Sequence, residues 1–339
     1  MNQLKVGLVG LGRLGKRYAE ILHHQTPSAQ LATVCSINPE ELHVAKQQWG
    51  ISSGYTDLKE CLKQEQVDAV FIVSSTDQHA DHIIQGLEAG CHVFCEKPLS
   101  INIQECERVE AIAAKYPTQL AVIGFNRRHD PSYAYAKQKI EEGLIGRPFQ
   151  VHSQTVDKDT VAEFQIQYVK NSGGIFHDFN VHDIDLARWY LGSEIQTVFA
   201  VGGAYKYPAF AEQGDADNVL TTCVFENGTI ATIRASRIAM HGHDTYTEIT
   251  GTEGSLRIGR PAQLNRVEIY DKDGVRKECV ESFYDRFAEA FHIQIQDFIR
   301  CVQEGGTPAS SLHDATEATR AAEAFTHSFE QKQLVHITR

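Results

Sequence analysis

LKVGLVGLGRLG, residues 4–15, decides the fold class of this chain. An apolar, strand-like run from Leu4 to Val9 leads directly into a G-x-G-x-x-G pattern, which opens a helix predicted to run to about His23. Glycines in this pattern permit a tight turn and let the backbone approach a pyrophosphate at the helix N-terminus. The alternative is a glycine-rich turn without a ligand. Its place between a strand and a helix favours a dinucleotide site formed by Gly10, Gly12, Arg13, Leu14 and Gly15.

Apolar runs alternate with amphipathic helical segments through the first 124 residues. The runs are Leu4 to Val9, Leu31 to Cys35, Ala69 to Val73, Cys91 to Cys95 and Leu120 to Ile123. This alternation is typical of a doubly wound parallel sheet with helices between its strands. We therefore predict an α/β Rossmann domain over residues 1–124.

The pattern changes after residue 124 to longer runs of alternating polarity. The predicted strands are Phe149 to Thr155, Thr197 to Ala204, Val219 to Phe225, Thr229 to Ala235, Thr245 to Thr250 and Val267 to Tyr270. Turn signals at Glu226-Asn227-Gly228 and Lys272-Asp273-Gly274 indicate antiparallel pairing. Two helical stretches, Arg286 to Cys301 and Leu312 to Phe329, close the chain. Residues 125–339 thus form a second, α+β domain.

Composition excludes several classes of partner. The 339 residues carry a formal net charge of -12, which repels a phosphate backbone, so nucleic acid is not expected as a partner. No run approaches the ~20 apolar residues of a membrane span, and no signal peptide precedes Leu4. The eight cysteines are scattered without C-x-x-C spacing, which indicates free buried thiols in a reducing compartment. We expect a cytoplasmic protein without a membrane partner.

The end of the second strand bears on the choice between NAD and NADP. An acidic residue there bonds the ribose 2′-hydroxyl and repels a 2′-phosphate. Ser36 stands at this position, and Arg13 projects from the glycine loop, where a guanidinium suits a 2′-phosphate. One hypothesis is that NADP is accepted at least as well as NAD. The other is that Arg13 is solvated and Ser36 bonds only the ribose, so the preference stays open.

Lys97 follows the predicted strand Cys91 to Cys95 and precedes a proline, in Glu96-Lys97-Pro98. Ligands of open α/β sheets bind beyond the carboxyl ends of the strands, and that is where Lys97 is expected. Pro98 restricts the backbone of Lys97 to extended conformations, which limits the directions that its ammonium group can take. Taken alone, the pair could equally be a surface lysine beside a glutamate.

A second polar group recurs with helical spacing in a segment that ends near Leu191. Asp178, His182 and Asp185 follow one another at i, i+4 and i+7 and are expected on one face of the helix. An imidazole with a carboxylate one turn away suits a general base. The same stripe could hold a metal ion or be a solvated face.

Together these motifs resemble the Gfo/Idh/MocA oxidoreductases, named for glucose-fructose oxidoreductase, inositol dehydrogenase and a rhizopine-catabolism protein. The likeness covers essentially the whole chain, through Val6 to Gly12, Glu96 to Pro98, Gly124 to Arg128 and Asp178 to Asp185. It is nearest to the inositol dehydrogenases of this family. The resemblance implies a Rossmann domain followed by a substrate-binding and oligomerisation domain, with a large, open, mostly antiparallel sheet whose exposed face mediates dimer or tetramer contacts.

The resemblance also implies roles for particular residues. Lys97, Asp178 and His182 are expected to be catalytic, without a metal, and Arg127 and Asp185 to approach substrate hydroxyls. Ser74, Thr76, His79, Glu96 and Lys97 are expected to line the cofactor, with Ser36 at the ribose. His241 and His243 lie in a loop that resembles a substrate loop, and Asp157 is a further candidate for a hydroxyl contact.

The implied activity is hydride transfer from a ring hydroxyl of myo- or scyllo-inositol to NAD or NADP, which yields an inosose. His182 would take the hydroxyl proton, Asp178 would orient the imidazole, and Lys97 would stabilise charge on the oxygen. The alternatives are a dehydrogenase of another cyclic sugar and a glycosidase that oxidises its substrate transiently with bound NAD. A non-catalytic sensor has no need of Lys97, Asp178 and His182 together.

Overall fold

A computed structural model describes residues 3–259 and 263–339 of the chain. Contacts between its residues divide the chain into two compact units. The first contains the residues up to Asn126 together with Phe291–Thr316, and the second contains Arg127–Ala290 with Glu317–Arg339. Residues 291–316 thus belong to the first unit although they follow the strands of the second. The domain boundary between residues 124 and 125 stays a prediction.

The first unit contains a six-stranded parallel sheet in the order β3-β2-β1-β4-β5-β6. Its strands are β1 (Leu4–Val9), β2 (Ala29–Cys35), β3 (Ser53–Tyr55), β4 (Ala69–Ile72), β5 (His92–Glu96) and β6 (Ala121–Gly124). The helices between them are α1 (Arg13–His24), α2 (Pro39–Trp49), α3 (Leu58–Gln64), α4 (Thr76–Glu88) and α5 (Ile103–Ala113). The predicted doubly wound parallel sheet is confirmed.

Local sequence signals account for these boundaries. All residues of β1 except Lys5 are buried, as in a strand covered on both faces. Asn38 and Asn102 cap α2 and α5, because their side chains accept hydrogen bonds from the backbone of the first turn. Gly50, with φ 63°, ends α2 in the left-handed conformation. The short strand β3 was missed by the sequence analysis, since Ser-Gly-Tyr carries no apolar run.

The second unit contains a seven-stranded sheet in the order β12-β11-β7-β10-β9-β8-β15. Its strands are β7 (Pro148–Lys158), β8 (Ile195–Gly203), β9 (Asn218–Phe225), β10 (Ile230–Ala239), β11 (Asp244–Gly251), β12 (Ser255–Ile258) and β15 (Val335–His336). Among the pairs of described strands, β7 and β10 run parallel and the others antiparallel. The expectation of a mostly antiparallel sheet is confirmed.

A separate hairpin in this unit joins β13 (Ile269–Asp271) to β14 (Gly274–Arg276). The helices are α6 (Pro131–Glu141), α7 (Ala162–Ser172), α8 (Val181–Leu191) and α9 (Pro208–Ala211), with 3₁₀ turns at Asn126–His129 and Asp159–Val161. The chain then forms α10 (Phe283–Glu304) and α11 (Leu312–Gln331), each of which contributes residues to both units.

The segment before α8 differs from the predicted regular helix. Phe176–Asn180 forms a π-helical turn, and α-helical geometry begins only at Val181. The predicted end near Leu191 is correct, because Gly192 takes the left-handed conformation with φ 60°. A π turn inserts one extra residue into a helix, and such turns occur frequently at functional sites.

The burial of the cysteines agrees with the expectation from composition. All eight cysteines are free thiols, and each except Cys279 is buried. Within residues 3–259 and 263–339, no helix is both long and apolar enough to cross a membrane.

Candidate active site

The glycine loop lies between β1 and α1 in the first unit. Gly10 has φ 91°, and a Cβ added there would lie 2.4 Å from the Val73 carbonyl oxygen. A Cβ at Gly15 would lie 1.9 Å from the Gly10 oxygen. A Cβ at Gly12 would meet nothing within 4 Å, so packing within the chain gives no reason for this glycine. An open space at Gly12, at the start of a helix without a side-chain cap, fits a pyrophosphate held by backbone N–H groups.

The other predicted cofactor residues follow the carboxyl ends of neighbouring strands. Ser36 follows β2, Ser74 and Thr76 follow β4, and Lys97 follows β5, while the glycine loop follows β1. Because β2, β1, β4 and β5 are adjacent and parallel, all these residues lie along one edge of the sheet. That edge is where open α/β sheets bind their ligands.

Ser36 carries a carboxylate neighbour that the sequence analysis missed. Its hydroxyl donates to Oε2 of Glu41 at 2.6 Å and accepts from the Asn38 N–H at 3.2 Å. The negative charge usually supplied by an acid at the end of β2 is therefore partly restored from α2. We expect the Glu41 carboxylate to repel a 2′-phosphate and the Arg13 guanidinium to attract one.

His79 ties two loops of the carboxyl edge together. Nδ1 lies 2.7 Å from the Pro98 carbonyl oxygen and Nε2 lies 3.0 Å from the Ser74 oxygen. Burial lowers the pKa of His79, although both carbonyl groups favour the charged form. Its side chain is occupied by the protein, which makes it a support of the loops that bear Ser74 and Lys97.

Glu96 is buried beneath the edge. The Tyr18 hydroxyl donates to its Oε1, and the Lys97 N–H donates to its Oε2 at 3.1 Å. Gln294 in turn donates to the Tyr18 oxygen at 2.6 Å. Burial raises the pKa of Glu96, while these donors and Lys97 oppose that shift. Glu96 thus contacts the backbone of Lys97, and its cofactor role stays a prediction.

Lys97 is the most accessible residue of its segment. It is half-buried, whereas the other residues of Val93–Ser100 are all buried. The Lys97–Pro98 peptide bond is cis. Lys97 is thus the one partly accessible residue in this segment at the end of β5.

Asp178 and His182, in the second unit, are likewise the most accessible residues of their segment. They are the two residues of Ile175–Arg188 that are not buried. Asp178 lies in the π-helical turn and His182 one turn later, in the first turn of α8. This segment therefore leaves one carboxylate and one imidazole half-buried, and these two groups, one turn apart, suit a general base. Asp185, the third member of the predicted stripe, is buried.

Arg127 and Asp185 have internal partners. Arg127 donates to Asp183 Oδ1 at 2.8 Å and to the Thr155 hydroxyl at 2.5 Å. Asp185 accepts two hydrogen bonds from Arg128, at 2.9 and 2.5 Å. Both ion pairs are almost fully buried. Their contacts with substrate hydroxyls stay predictions, and these partners make each side chain rigid.

Asp183 is a buried charge that the sequence analysis did not single out. It accepts from Arg127 and from the hydroxyls of Ser153 at 2.7 Å and Thr155 at 2.8 Å. It follows His182 directly and so falls outside the i, i+4 stripe. Helical spacing indicates which residues share a face, but not that a strand will meet the other face with two hydroxyl groups.

The structure brings two other candidates together. Nδ1 of His243 lies 2.6 Å from Oδ1 of Asp157, and Gln165 donates to the other oxygen at 2.9 Å. His243 is buried and Nε2 has no hydrogen-bond partner among the described residues. His241 is half exposed, with Nε2 3.4 Å from Asp244. Within the described ranges, no group of three His, Cys, Asp or Glu side chains could hold a metal ion.

Models of one oxidoreductase family match both parts of the chain. The NAD-binding Rossmann-fold model of the GFO_IDH_MocA family matches residues 4–124, and the C-terminal alpha/beta domain model of that family matches residues 137–337. The second match alone covers more than half of the 339 residues.

Individual relatives are similar over almost their whole length. The chain is 35% identical to scyllo-inositol 2-dehydrogenase (NAD(+)) of Bacillus subtilis, over 99% of this chain and 97% of the relative. It is 32% identical to myo-inositol 2-dehydrogenase of Thermotoga maritima, over 98% of each. The crystal structure of scyllo-inositol dehydrogenase from Lactobacillus casei with bound NAD(H) and scyllo-inositol superposes with a TM-score of 0.96, at 34% identity and 99% coverage of both chains.

Proposed function

This chain belongs to the Gfo/Idh/MocA family of oxidoreductases, and on that premise we propose that it oxidises a ring hydroxyl of myo- or scyllo-inositol to an inosose. The observation that carries the proposal is that Asp178 and His182 are half-buried and thus partly accessible, whereas every other residue from 175 to 188 is buried. A base that must reach a substrate proton has to be accessible. The relatives named for the two inositols support the substrate class.

His182 takes the proton of the reacting hydroxyl. Asp178, one turn earlier, orients the imidazole and stabilises its charged form. Lys97 places an ammonium group against the oxygen on which negative charge develops, and its strongly hydrated point charge suits this electrostatic role. When bound, the nicotinamide dinucleotide accepts the hydride from the carbon that carries the hydroxyl.

The cofactor is held at the carboxyl edge of the parallel sheet. Backbone N–H groups at Gly12 and Arg13 receive the pyrophosphate, and Leu14 and Gly15 continue the first turn of α1. Ser36, which donates to Glu41, would contact the adenosine ribose. Ser74, Thr76, His79 and Glu96 shape the loops around the nicotinamide half, in the roles that the family resemblance implies.

Substrate hydroxyls are recognised by residues of the second unit. Asp157 and His243 supply a paired carboxylate and imidazole, with His241 from the same loop. Arg127 and Asp185, held by their buried partners, add fixed donors and acceptors. Binding of a polyol requires several oriented polar groups in the protein. A substrate hydroxyl that leaves water without gaining a hydrogen-bond partner lowers the binding affinity.

We also propose a homo-oligomer, a dimer or tetramer, in the cytoplasm. One face of the seven-stranded sheet exposes apolar side chains on β8, β9 and β10, namely Phe199, Val201, Leu220, Val224 and Ile230. Exposed apolar patches of this kind favour association, and a second copy of the chain is the proposed partner. Eight free cysteines fit a reducing compartment.

The test is absorbance at the reduced-nicotinamide band, with NAD and NADP, against myo-inositol, scyllo-inositol, chiro-inositol, glucose and xylose. Strong turnover of one inositol and weak turnover of the sugars is the expected result. Turnover of a sugar alone would replace inositol by another cyclic substrate. Release of phenol from an aryl glycoside without accumulation of reduced cofactor would identify a glycosidase instead. The absence of turnover with every one of these compounds would overturn the proposal.

A further inference from the structure

A buried ion pair lies behind the π-helical turn of the second unit. Arg237, on β10, donates through Nη1 to Asp215 Oδ2 at 2.5 Å and to the Ala216 carbonyl oxygen at 3.1 Å. Both charged side chains are almost completely excluded from solvent. Neither residue was singled out by the sequence analysis, and the mechanism given above does not use them.

The pair holds the π-helical turn at two points. Asp215 Oδ1 accepts from the Ile175 N–H at 3.0 Å, immediately before the turn. The Arg237 guanidinium lies 5.4 Å from the centre of the Phe179 ring and 4.5 Å from that of Phe210. Ile175 and Phe179 flank Asp178 in the chain, so one ion pair holds the backbone on one side of that carboxylate and contacts a side chain on the other.

Two glycines allow this contact. Gly173 and Gly174 both take left-handed conformations, with φ 75° and 76°, between the end of α7 and the turn. A Cβ at Gly174 would lie 3.1 Å from Asp215 Oδ1. The absence of side chains lets the Ile175 N–H approach the carboxylate, but it also leaves this connection without side-chain support of its own.

A π turn needs such support because it is less favourable than α-helix and would relax if released. The rotation per residue about the helix axis is larger in an α-helix than in a π-helix. Relaxation over residues 176–180 would therefore change the angle between Asp178 and His182 about the helix axis. Asp178, which the proposed mechanism uses to orient the base, lies in the middle of this turn.

We propose that Asp215 and Arg237 are positioning residues, which hold the π-helical turn so that Asp178 orients His182. The inference rests on the proposed function. Asp215→Asn keeps an oxygen acceptor for Ile175 but removes the charge that holds Arg237. Arg237→Lys keeps a positive charge but loses the planar group that lies over Phe179. Both variants are expected to lower kcat about ten- to a hundredfold, with little change in cofactor affinity.

A double-mutant cycle distinguishes positioning from a merely structural role. In an Asp178→Asn background, Asp215→Asn should lower kcat no further, because its effect passes through Asp178. Asp217→Asn is the matched control. Asp217 is also buried in this loop, but it accepts from the N–H groups of Tyr205, Lys206 and Tyr207. It should lower stability and leave kcat near that of the wild type. Multiplicative losses in the cycle would overturn the proposal.

Two further measurements keep the test decisive. Cofactor titration and thermal unfolding show whether each variant is folded, and Arg237→Lys replaces Asp215→Asn if the latter does not fold.

If the wild type turns over no inositol, the proposed function fails, and the NMR signal of the 13C-labelled His182 ring is compared between the wild type and the variants instead. Asp178→Asn and Asp215→Asn should then shift this signal alike, with no added shift in the double variant. An unshifted signal in Asp215→Asn would overturn the inference.

Discussion

The carboxylate of Asp157, on β7, accepts a hydrogen bond at 2.6 Å from Nδ1 of His243, the residue before β11. Because a carboxylate accepts only, Nδ1 carries the proton and Nε2 of a neutral ring is left as an acceptor. Nε2 is buried without a hydrogen-bond partner among the described residues. The pair thus holds an imidazole nitrogen without a partner among the described residues, and we propose that this nitrogen accepts from a substrate hydroxyl.

His243→Phe should raise KM for the inositol about tenfold or more, because the ring loses its polar atoms while the flanking Phe283 and Phe287 still pack against it. Steady-state kinetics with saturating cofactor measure this change. His313→Phe, at an exposed histidine outside the proposed site, is the matched control and should leave KM unchanged. An unchanged KM in His243→Phe would remove His243 from substrate recognition.

His182→Ala and Lys97→Met should each lower kcat about a hundredfold or more, because one removes the base and the other the charge that stabilises the oxygen. Cofactor affinity, measured by fluorescence titration, should stay close to that of the wild type. Lys115→Met, at an exposed lysine after α5, is the control for loss of a positive charge. A variant with nearly normal kcat would exclude its residue from the reaction.

Glu41→Gln should shift affinity toward NADP by about fivefold relative to NAD, because a carboxylate beside Ser36 repels a 2′-phosphate. Ser36→Asp should shift it toward NAD. Direct binding of both nucleotides measures the ratio without turnover. Glu40→Gln removes the same charge from an exposed neighbouring position and should leave the ratio unchanged. An unchanged ratio in Ser36→Asp would contradict this description of the ribose site.

Gly10→Ala and Gly12→Ala should separate folding from cofactor binding. A Cβ at Gly10 would clash with the Val73 carbonyl, so this variant should lose about 3 kcal/mol of stability. A Cβ at Gly12 meets nothing in the protein, so that variant should unfold like the wild type but bind the nucleotide about tenfold more weakly. Urea unfolding and nucleotide titration test the pair. Normal binding by Gly12→Ala would place the pyrophosphate elsewhere.

His177 should make the stability of the protein depend on pH. Burial lowers the pKa of His177 from its usual 6.5 to about 4, although the Gly173 carbonyl favours the charged form. Between these values the unfolded chain binds the proton and the folded one does not, so stability rises with pH. It should fall by about 3 kcal/mol as pH decreases from 7 to 4.

His177→Asn removes this contribution while keeping an N–H donor for Gly173. Urea unfolding from pH 4 to pH 7 should therefore show a flatter dependence in the variant than in the wild type. His313→Asn, at an exposed histidine, should keep the dependence of the wild type. Identical curves for wild type and His177→Asn would assign the pH dependence to other groups.

Secondary structure was predictable where a local sequence pattern is compatible with only one backbone conformation. β1 was predicted to the residue, because an apolar run buried on both faces ends at a glycine with positive φ. The turn at Asn227-Gly228 was predictable for the same kind of reason. The π-helical turn was not, since α and π geometry differ by one residue in hydrogen-bond register and the apolar spacing barely changes. The parallel pairing of β7 with β10 was likewise hidden, because strand partners are chosen over about eighty residues.

By itself the sequence determined the parallel sheet, the glycine loop and the presence of Lys97, Asp178 and His182, because these depend on local spacing and residue type. Only the tertiary structure decided which charged groups are exposed and which are buried with partners. Asp185, expected beside His182, is bound by Arg128, and Asp157 meets His243 although 86 residues separate them. The physical reason is that desolvation of a charge is tolerated only where a partner arrives from another part of the chain, and that partner is brought there by packing of the whole unit.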